Sequence, residues 1–253
     1  MNVKELYDFF DALIPRELSC EWDNDGLMCA SDLTKKVKKV LLTLDVSEAA
    51  VDYAIKNSFD AIISHHPLIF NPVKSIREDR DKKLVELIKN DVAVMSFHTR
   101  LDAMKGGMND RLADLLSLSD TYPFGPEGET VGRIGTTERE YSPKEFALKI
   151  KYALCCENVL VSDAGKNVKK VAVVGGDGKD YMDYAVSEGA DTYISGRLGY
   201  NTMAEAKEMG INLIEAGHFY TEDHICDFFK EKIALLDKNI YTEHFCSNVI
   251  KII

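Results

Sequence analysis

One stretch of this chain occurs twice. Residues 37–64 align without a gap on 168–195 at a constant offset of 131, and ten of the 28 positions are identical. Val37-Lys38-Lys39-Val40 matches Val168-Lys169-Lys170-Val171, and Asp52-Tyr53-Ala54 matches Asp183-Tyr184-Ala185. Asp60, Ile63 and Ser64 match Asp191, Ile194 and Ser195. Each copy reads as an apolar strand, a helix and a second apolar strand. A repeat of this length constrains the fold because one supersecondary unit must bury its apolar faces twice over. With a connection 11 residues shorter in the second copy, 92–98 falls on 212–218, so that His98 matches His218 and Asp102 matches Glu222.

The pattern around the repeat is of the same kind. Val3, Leu6, Phe9, Phe10 and Leu13 give a helix over 3–13. A polar turn-forming stretch, 21–30, follows as a loop. Strands at 37–45, 60–64 and 92–97 then alternate with helices at 47–57 and 80–89. Strands separated by helices of about 10–15 residues form βαβ units and a largely parallel sheet. The expected fold is therefore α/β, with two pseudo-repeated α/β lobes and largely parallel sheets, plus a small inserted α+β segment. The boundaries are a first half at 1–120, the insertion at 121–167 and a second half at 168–253. The insertion opens with a Pro/Gly loop at 121–130 and a strand at 131–137. A helix starts at the capping-box sequence Ser142-Pro143-Lys144-Glu145, and a strand at 158–162 ends the segment. The second half closes with a helix near 222–236 and a strand at 239–246.

Composition narrows the function classes. A net charge of -11 over 253 residues argues against a general nucleic-acid-binding surface, which needs Lys and Arg for phosphates. No apolar run reaches the roughly 18 residues that span a bilayer. The N-terminal stretch is amphipathic and acidic, unlike a secretory signal. Cys20, Cys29, Cys155, Cys156, Cys226 and Cys246 form no C-x-x-C pair. They read as small buried hydrophobes in a reducing, cytoplasmic setting, which leaves any metal to imidazoles and carboxylates.

Such donors gather where ligands bind in parallel sheets, beyond the carboxyl ends of strands. His65 and His66 end one strand, and Pro67 marks the exit. His98 ends another, with Asp102 four residues on; His218 ends a third, with Glu222 four residues on. Three imidazoles and two carboxylates from this set exceed what one open site takes. They suit two divalent ions about 3.5–4 Å apart with a bridging carboxylate. The donor types admit Zn, Mn, Fe, Co or Ni. Gly196-Arg197 stands where the first copy has His65-His66, so Arg197 is read as an anion contact or a surface ion pair. His224 and His244 are read as structural. Gly106-Gly107 makes the turn into a helix from 108, and Gly175-Gly176-Asp177-Gly178 is a plain turn in preference to a phosphate cradle.

Five segments, EWDNDGL (21–27), ISHHPLIF (63–70), HTRLDAMKGGMND (98–110), VAVVGGDG (171–178) and EAGHFYTE (215–222), resemble the motifs of the Nif-three-like family. Its bacterial members are often called GTP cyclohydrolase 1 type 2 homologues. The resemblance implies a dinuclear centre with His65, His66, Asp102, His218 and Glu222 as ligands. It implies a proton-transfer role for His98, and a toroidal homohexamer around a central cavity. It points to a metal-dependent hydrolase acting on a nucleotide-like or phosphorylated small molecule. The alternative is a metal-binding regulatory or scaffold protein in a ring-shaped oligomer, without turnover. Three departures stand out. Arg100 replaces a common Asn and Asp25 a usual apolar residue, while 196–201 lacks the family's acidic residue and His. Arg100 and Arg197 are accordingly expected to line the substrate pocket.

Overall fold

The computed structural model describes residues 1–253. The chain opens on helix α1 (Val3–Leu13), started by a capping box in which Asn2 and Glu5 each accept the other's backbone amide. There follow β1 (Gly26–Cys29), β2 (Lys39–Thr43), α2 (Glu48–Lys56), β3 (Ala61–Ser64), α3 (Lys82–Lys89) and β4 (Ala93–Ser96). Next come α4 (Thr99–Ala103), α5 (Met108–Leu115), β5 (Ser119–Phe124), β6 (Gly132–Tyr141), α6 (Pro143–Ala153) and β7 (Leu160–Ser162). The second copy of the repeat supplies β8 (Val168–Asp177), α7 (Met182–Ser187) and β9 (Thr192–Arg197). Then come α8 (Tyr200–Met209), β10 (Asn212–Glu215), α9 (His218–Glu222), α10 (Ile225–Leu236) and β11 (Tyr241–His244). None of the helices is long and apolar enough to cross a membrane.

Two compact units result. One comprises Met1–Leu101 and Ile225–Ile250, the other Asp102–His224 and Lys251–Ile253. The first unit holds a five-stranded sheet, β1-β4-β3-β2-β11. Its four neighbours from β4 to β11 run parallel, and β1 pairs antiparallel at the edge beside β4. All residues of β3 and β4 are buried, as strands covered on both faces must be. Phe10, Phe97 and Phe229 meet on one side, with ring centroids 5.6–6.1 Å apart. The second unit holds a six-stranded sheet, β5-β6-β8-β9-β10-β7, with β8, β9 and β10 parallel. Segment 121–167 contributes β6, α6 and β7, and its two strands flank that parallel core on either side.

The offset of 131 reappears in the pairing itself. Val40 stands opposite Ala61 in the first sheet and Val171 opposite Thr192 in the second. The identity of Asp60 with Asp191 has a direct cause. Asp60 accepts the amides of Lys38 and Lys39, and Asp191 accepts those of Lys169 and Lys170. Each carboxylate ties the start of its second strand to the start of the first.

The next strand does not follow the alignment made on the sequence. The Phe97 amide donates to the Ser64 carbonyl, and the Ala216 amide to that of Ser195. Phe97 therefore corresponds to Ala216, and His98 to Gly217. His218 matches Thr99, the first residue of α4, and Glu222 matches Ala103. The equivalence of His98 with His218, and of Asp102 with Glu222, is thus off by one residue. Gly217, at φ +89°, stands where the first copy has His98, immediately before α9.

Other differences have simple physical origins. Segment 21–30 contains β1, a strand of four residues with a register shift, too short to show alternation. Strand β5 runs into the expected loop at 121–130. The five-residue helices α4 and α9 are too brief for a periodic signal. Strand β11 adds to the first sheet beside β2. Cys155 and Cys246 are exposed and Cys29 is half-buried, contrary to the reading of all six cysteines as buried.

Replacing Asp60 or Asp191 by Ala removes an acceptor shared by two backbone amides. Each substitution should lower unfolding free energy by about 1–3 kcal/mol, read as a shift in urea midpoint. Asp52→Ala, at an exposed position of α2, serves as the control and should leave the midpoint where it was.

Candidate metal centre

In the first unit the site is built at the carboxyl ends of β3 and β4. Ser64 pairs with Ser96, and their hydroxyls lie 2.8 Å apart, so His65 leaves the sheet level with Phe97 and His98 one residue later. The His66 amide donates to Leu44, which turns the second imidazole along the sheet end before Pro67. Ring centroids are 5.2 Å apart for His65 and His66, 5.1 Å for His65 and His98, and 5.6 Å for His66 and His98. One nitrogen from each lies within 4.8 Å of the other two.

All three rings are oriented through Nδ1. His65 is fully buried, and its Nδ1 lies 2.9 Å from the Phe97 carbonyl, an acceptor that requires Nδ1–H. His66 Nδ1 lies 2.7 Å from Asp45, whose carboxylate also accepts from the Ser247 hydroxyl. His98 Nδ1 lies 2.9 Å from Asp23, which further accepts the Thr99 amide and hydroxyl. Burial pushes the Asp23 carboxyl up, but the His98 ring and Thr99 outweigh it and hold it down at about 2. Asp23 is accordingly an anion at any physiological pH. Holding Nδ1 in this way leaves Nε2 as the lone-pair nitrogen, the arrangement found around metal-ligating histidines.

In the second unit, His218 and Glu222 occupy the first and last positions of α9, one turn apart on one face. His218 Nε2 is 2.8 Å from Glu222 Oε2, and Glu222 is only 4% exposed. The backbone of Gly176 (φ +65°) packs against this pair. A Cβ there would collide with Glu222 Oε1 and come within 3.2 Å of His218 Nε2. Asp102 lies on α4, and the buried Asn109 links that helix to β8. Its Nδ2 faces the Asp102 carbonyl at 3.5 Å, and its Oδ1 accepts the Gly175 amide at 2.8 Å. The Gly176 amide donates to the Thr221 hydroxyl, and the Gly178 amide to Ser195. The three glycine amides are thus engaged by side chains, which rules out the phosphate cradle and explains the glycines as close-approach positions.

The remaining polar residues fall away from the chemistry. Arg100 is fully buried and does not line a pocket. It donates to Asp25 (3.0 Å), Asp11 (2.8 Å) and the Ile14 carbonyl (3.0 Å), and lies over the Phe97 ring. The two departures Arg100 and Asp25 are therefore one compensated pair. Arg197 is largely exposed, with Asp177 at 3.9 Å. Burial holds the His224 imidazole down at about 4, and its Nε2 faces the Thr221 carbonyl. His244 is exposed on β11. Sequence reasoning missed Asp23, Asp45, Asn109 and Thr221, which orient the histidines and the backbone. Asp23, Asn109 and Thr221 lie inside the motifs EWDNDGL, HTRLDAMKGGMND and EAGHFYTE, so a signal was lacking only for Asp45.

Imidazoles with anchored Nδ1 atoms in the first unit, and a histidine–carboxylate pair walled by a glycine backbone in the second, are donor types that suit a divalent cation. The class defined by fold and site is thus an α/β protein with histidine and carboxylate groups suited to metal at the strand ends. The model of the Duf34/NIF3 (NGG1p interacting factor 3) family matches residues 1–252, and the chain belongs to that family. It is 33% identical over 241 residues to the GTP cyclohydrolase 1 type 2 homolog of Clostridium perfringens, covering 92% of this chain and 91% of that one. To the protein of the same description from Methanocaldococcus jannaschii it is 34% identical over 238 residues, covering 92% and 95%. Among solved structures, the Bacillus cereus protein related to NIF3 superposes with a TM-score of 0.87 at 26% identity, covering 100% of this chain and 99% of that one. Reduced HcgD from Methanocaldococcus jannaschii superposes at 0.84 with 31% identity, covering 96% and 97%.

Arg100→Asn alone strands the buried Asp25, whose carboxyl burial already pushes up. The variant should lose about 3–5 kcal/mol of stability. Adding Asp25→Leu should recover more than half of the loss, since the two residues form one unit. A double-mutant cycle of urea midpoints measures the coupling.

Proposed function

We propose that this chain is a metal-dependent hydrolase with a dinuclear site, acting on a nucleotide-like or phosphorylated small molecule. In this reading His65, His66, Asp102, His218 and Glu222 hold the ions, and His98 transfers a proton. The observation that carries it is the set of three imidazoles whose Nδ1 atoms are each fixed, to Phe97, Asp45 and Asp23. Rings spent only on stability have no need to bring one nitrogen each within 4.8 Å of the others. When bound, divalent cations such as Zn, Mn, Fe, Co or Ni supply Lewis acidity and make a water proton easier to lose.

The chain's own groups account for the rest. The Phe97 carbonyl and Asp45 fix the tautomers of His65 and His66, so neither ring must reorient to present a lone pair. The Gly176 backbone confines the Glu222 carboxylate. His98 Nε2 accepts a proton from the reacting water and later returns it to the leaving group. The Asp23 anion steadies the imidazolium formed in between, as the carboxylate of a catalytic triad does. A ring-shaped homohexamer and a cytoplasmic location belong to the same proposal, and sedimentation analysis tests the former.

Elemental analysis of the purified protein should give two divalent ions per chain. Asp102→Ala should lower that number with circular dichroism unchanged. Asp45→Ala should weaken metal binding by about 10–100-fold. Gly176→Ala should likewise deplete metal, because its methyl displaces the Glu222 carboxylate. Loaded protein is then assayed on nucleotides, phosphodiesters and cyclic amides. Metal-dependent turnover that Asp102→Ala abolishes is the expected result. Full metal occupancy with no turnover on any of them sinks the hydrolase and favours the regulatory or scaffold protein.

A further inference from the structure

Beside His98 stands an aromatic surface that the chemistry above does not use. Trp22, the single tryptophan of the chain, is 56% exposed, and Phe70 is 48% exposed. Their ring centroids lie 6.0 Å apart at 48°, and Trp22 lies 6.1 Å from the His98 ring at 75°. Neither neighbouring ring is parallel to the indole, so neither contact stacks on it face to face. Large aromatic faces left open next to a polar centre are costly in water and serve as binding surfaces.

The surface is also held in place. Asn24 Nδ2 donates to the Ile69 carbonyl at 2.5 Å, which ties the segment bearing Trp22 to the segment bearing Phe70. Asp23, between Trp22 and Asn24, is fixed by His98 and Thr99. A rigid aromatic shelf with an open face accepts a planar π-system without reorganisation, and it does so for many ring types because every base has a π-face.

We propose that Trp22 and Phe70 form a stacking shelf for the planar heteroaromatic ring of the substrate, setting that ring against His98. This rests on the reading of His98 as part of the active centre, and narrows the substrate from phosphorylated small molecules to those carrying a flat heterocycle. Sugar phosphates and acyclic phosphoesters would find no partner on the shelf.

Because Trp22 is the only indole, intrinsic fluorescence excited at the indole edge reports on it alone. The full-length protein, with its metal as purified, is titrated with guanosine, adenosine, uridine and nicotinamide mononucleotides, and with ribose 5-phosphate. At least one mononucleotide should quench the emission saturably, and ribose 5-phosphate should not. By calorimetry, Phe70→Ala and Trp22→Ala should each weaken that ligand's binding by about 10–100-fold. Trp22→Phe should restore most of it. Phe70 is exposed, so its loss leaves the core intact. Equal responses to all compounds, no response to any mononucleotide, or unchanged affinity in Phe70→Ala overturns the shelf. So does quenching that follows protein concentration without ligand, which means a second copy covers the surface. Binding is read without turnover, so the two proposals fail separately. A protein that stacks a mononucleotide and hydrolyses nothing refutes the hydrolase alone. One that hydrolyses phosphoesters without aromatic recognition refutes the shelf alone.

Discussion

The parallel pairing of β3 with β4 is the constraint on which the histidine cluster depends. Its register sets Ser64 against Ser96 and joins the Phe97 amide to the Ser64 carbonyl. His65 then leaves the sheet level with Phe97, and His98 follows one residue further on. A shift of one residue would send every side chain of a strand to its opposite face. The same segment of β4 also provides the carbonyl that orients His65. Backbone pairing thus governs the position of two rings and the protonation of one, before any carboxylate is considered.

Side-chain hydrogen bonds then complete what the sheets begin. Asp23 and Asp45 each hold one imidazole, and both come from outside the strands that carry the rings. In the second unit side chains hold the main chain instead of an imidazole. Asn109 and Thr221 occupy the Gly175 and Gly176 amides, which fixes the main chain against Glu222. The absence of a Cβ at Gly176 is what allows the backbone to approach the Glu222 carboxylate so closely.

Much of this was legible in the residues. The doubled strand-helix-strand pattern marks the α/β class, because Asp60 and Asp191 recur for a hydrogen-bonding reason that leaves a trace in sequence. Capping boxes at Asn2 and Ser142 fix helix starts by local chemistry, although only the second is announced by a Ser-Pro pair. The histidines at strand ends were visible because such ends are where polar residues interrupt apolar runs. What was not legible is non-local. Nothing in NIYTEHFC says that it pairs with β2, and nothing in EWDNDGL says that a four-residue strand begins within it. The alignment of His98 with His218 was persuasive because both precede a carboxylate by four residues, yet hydrogen-bond register sets it aside. Arg100 and Asp25 looked like two unrelated oddities, and only their contact in space makes them one.

The duplicated aspartate has a consequence for how such a chain could arise and change. Each copy closes on its own amides, Lys38 and Lys39 in one, Lys169 and Lys170 in the other. The anchor travels with the module. After a duplication neither copy would have needed its twin to keep its strands together. The residues just past the strands were then free to differ, and one copy carries His65-His66 where the other carries Gly196-Arg197. Self-sufficient scaffolding at one edge of a module is what permits asymmetry at the other.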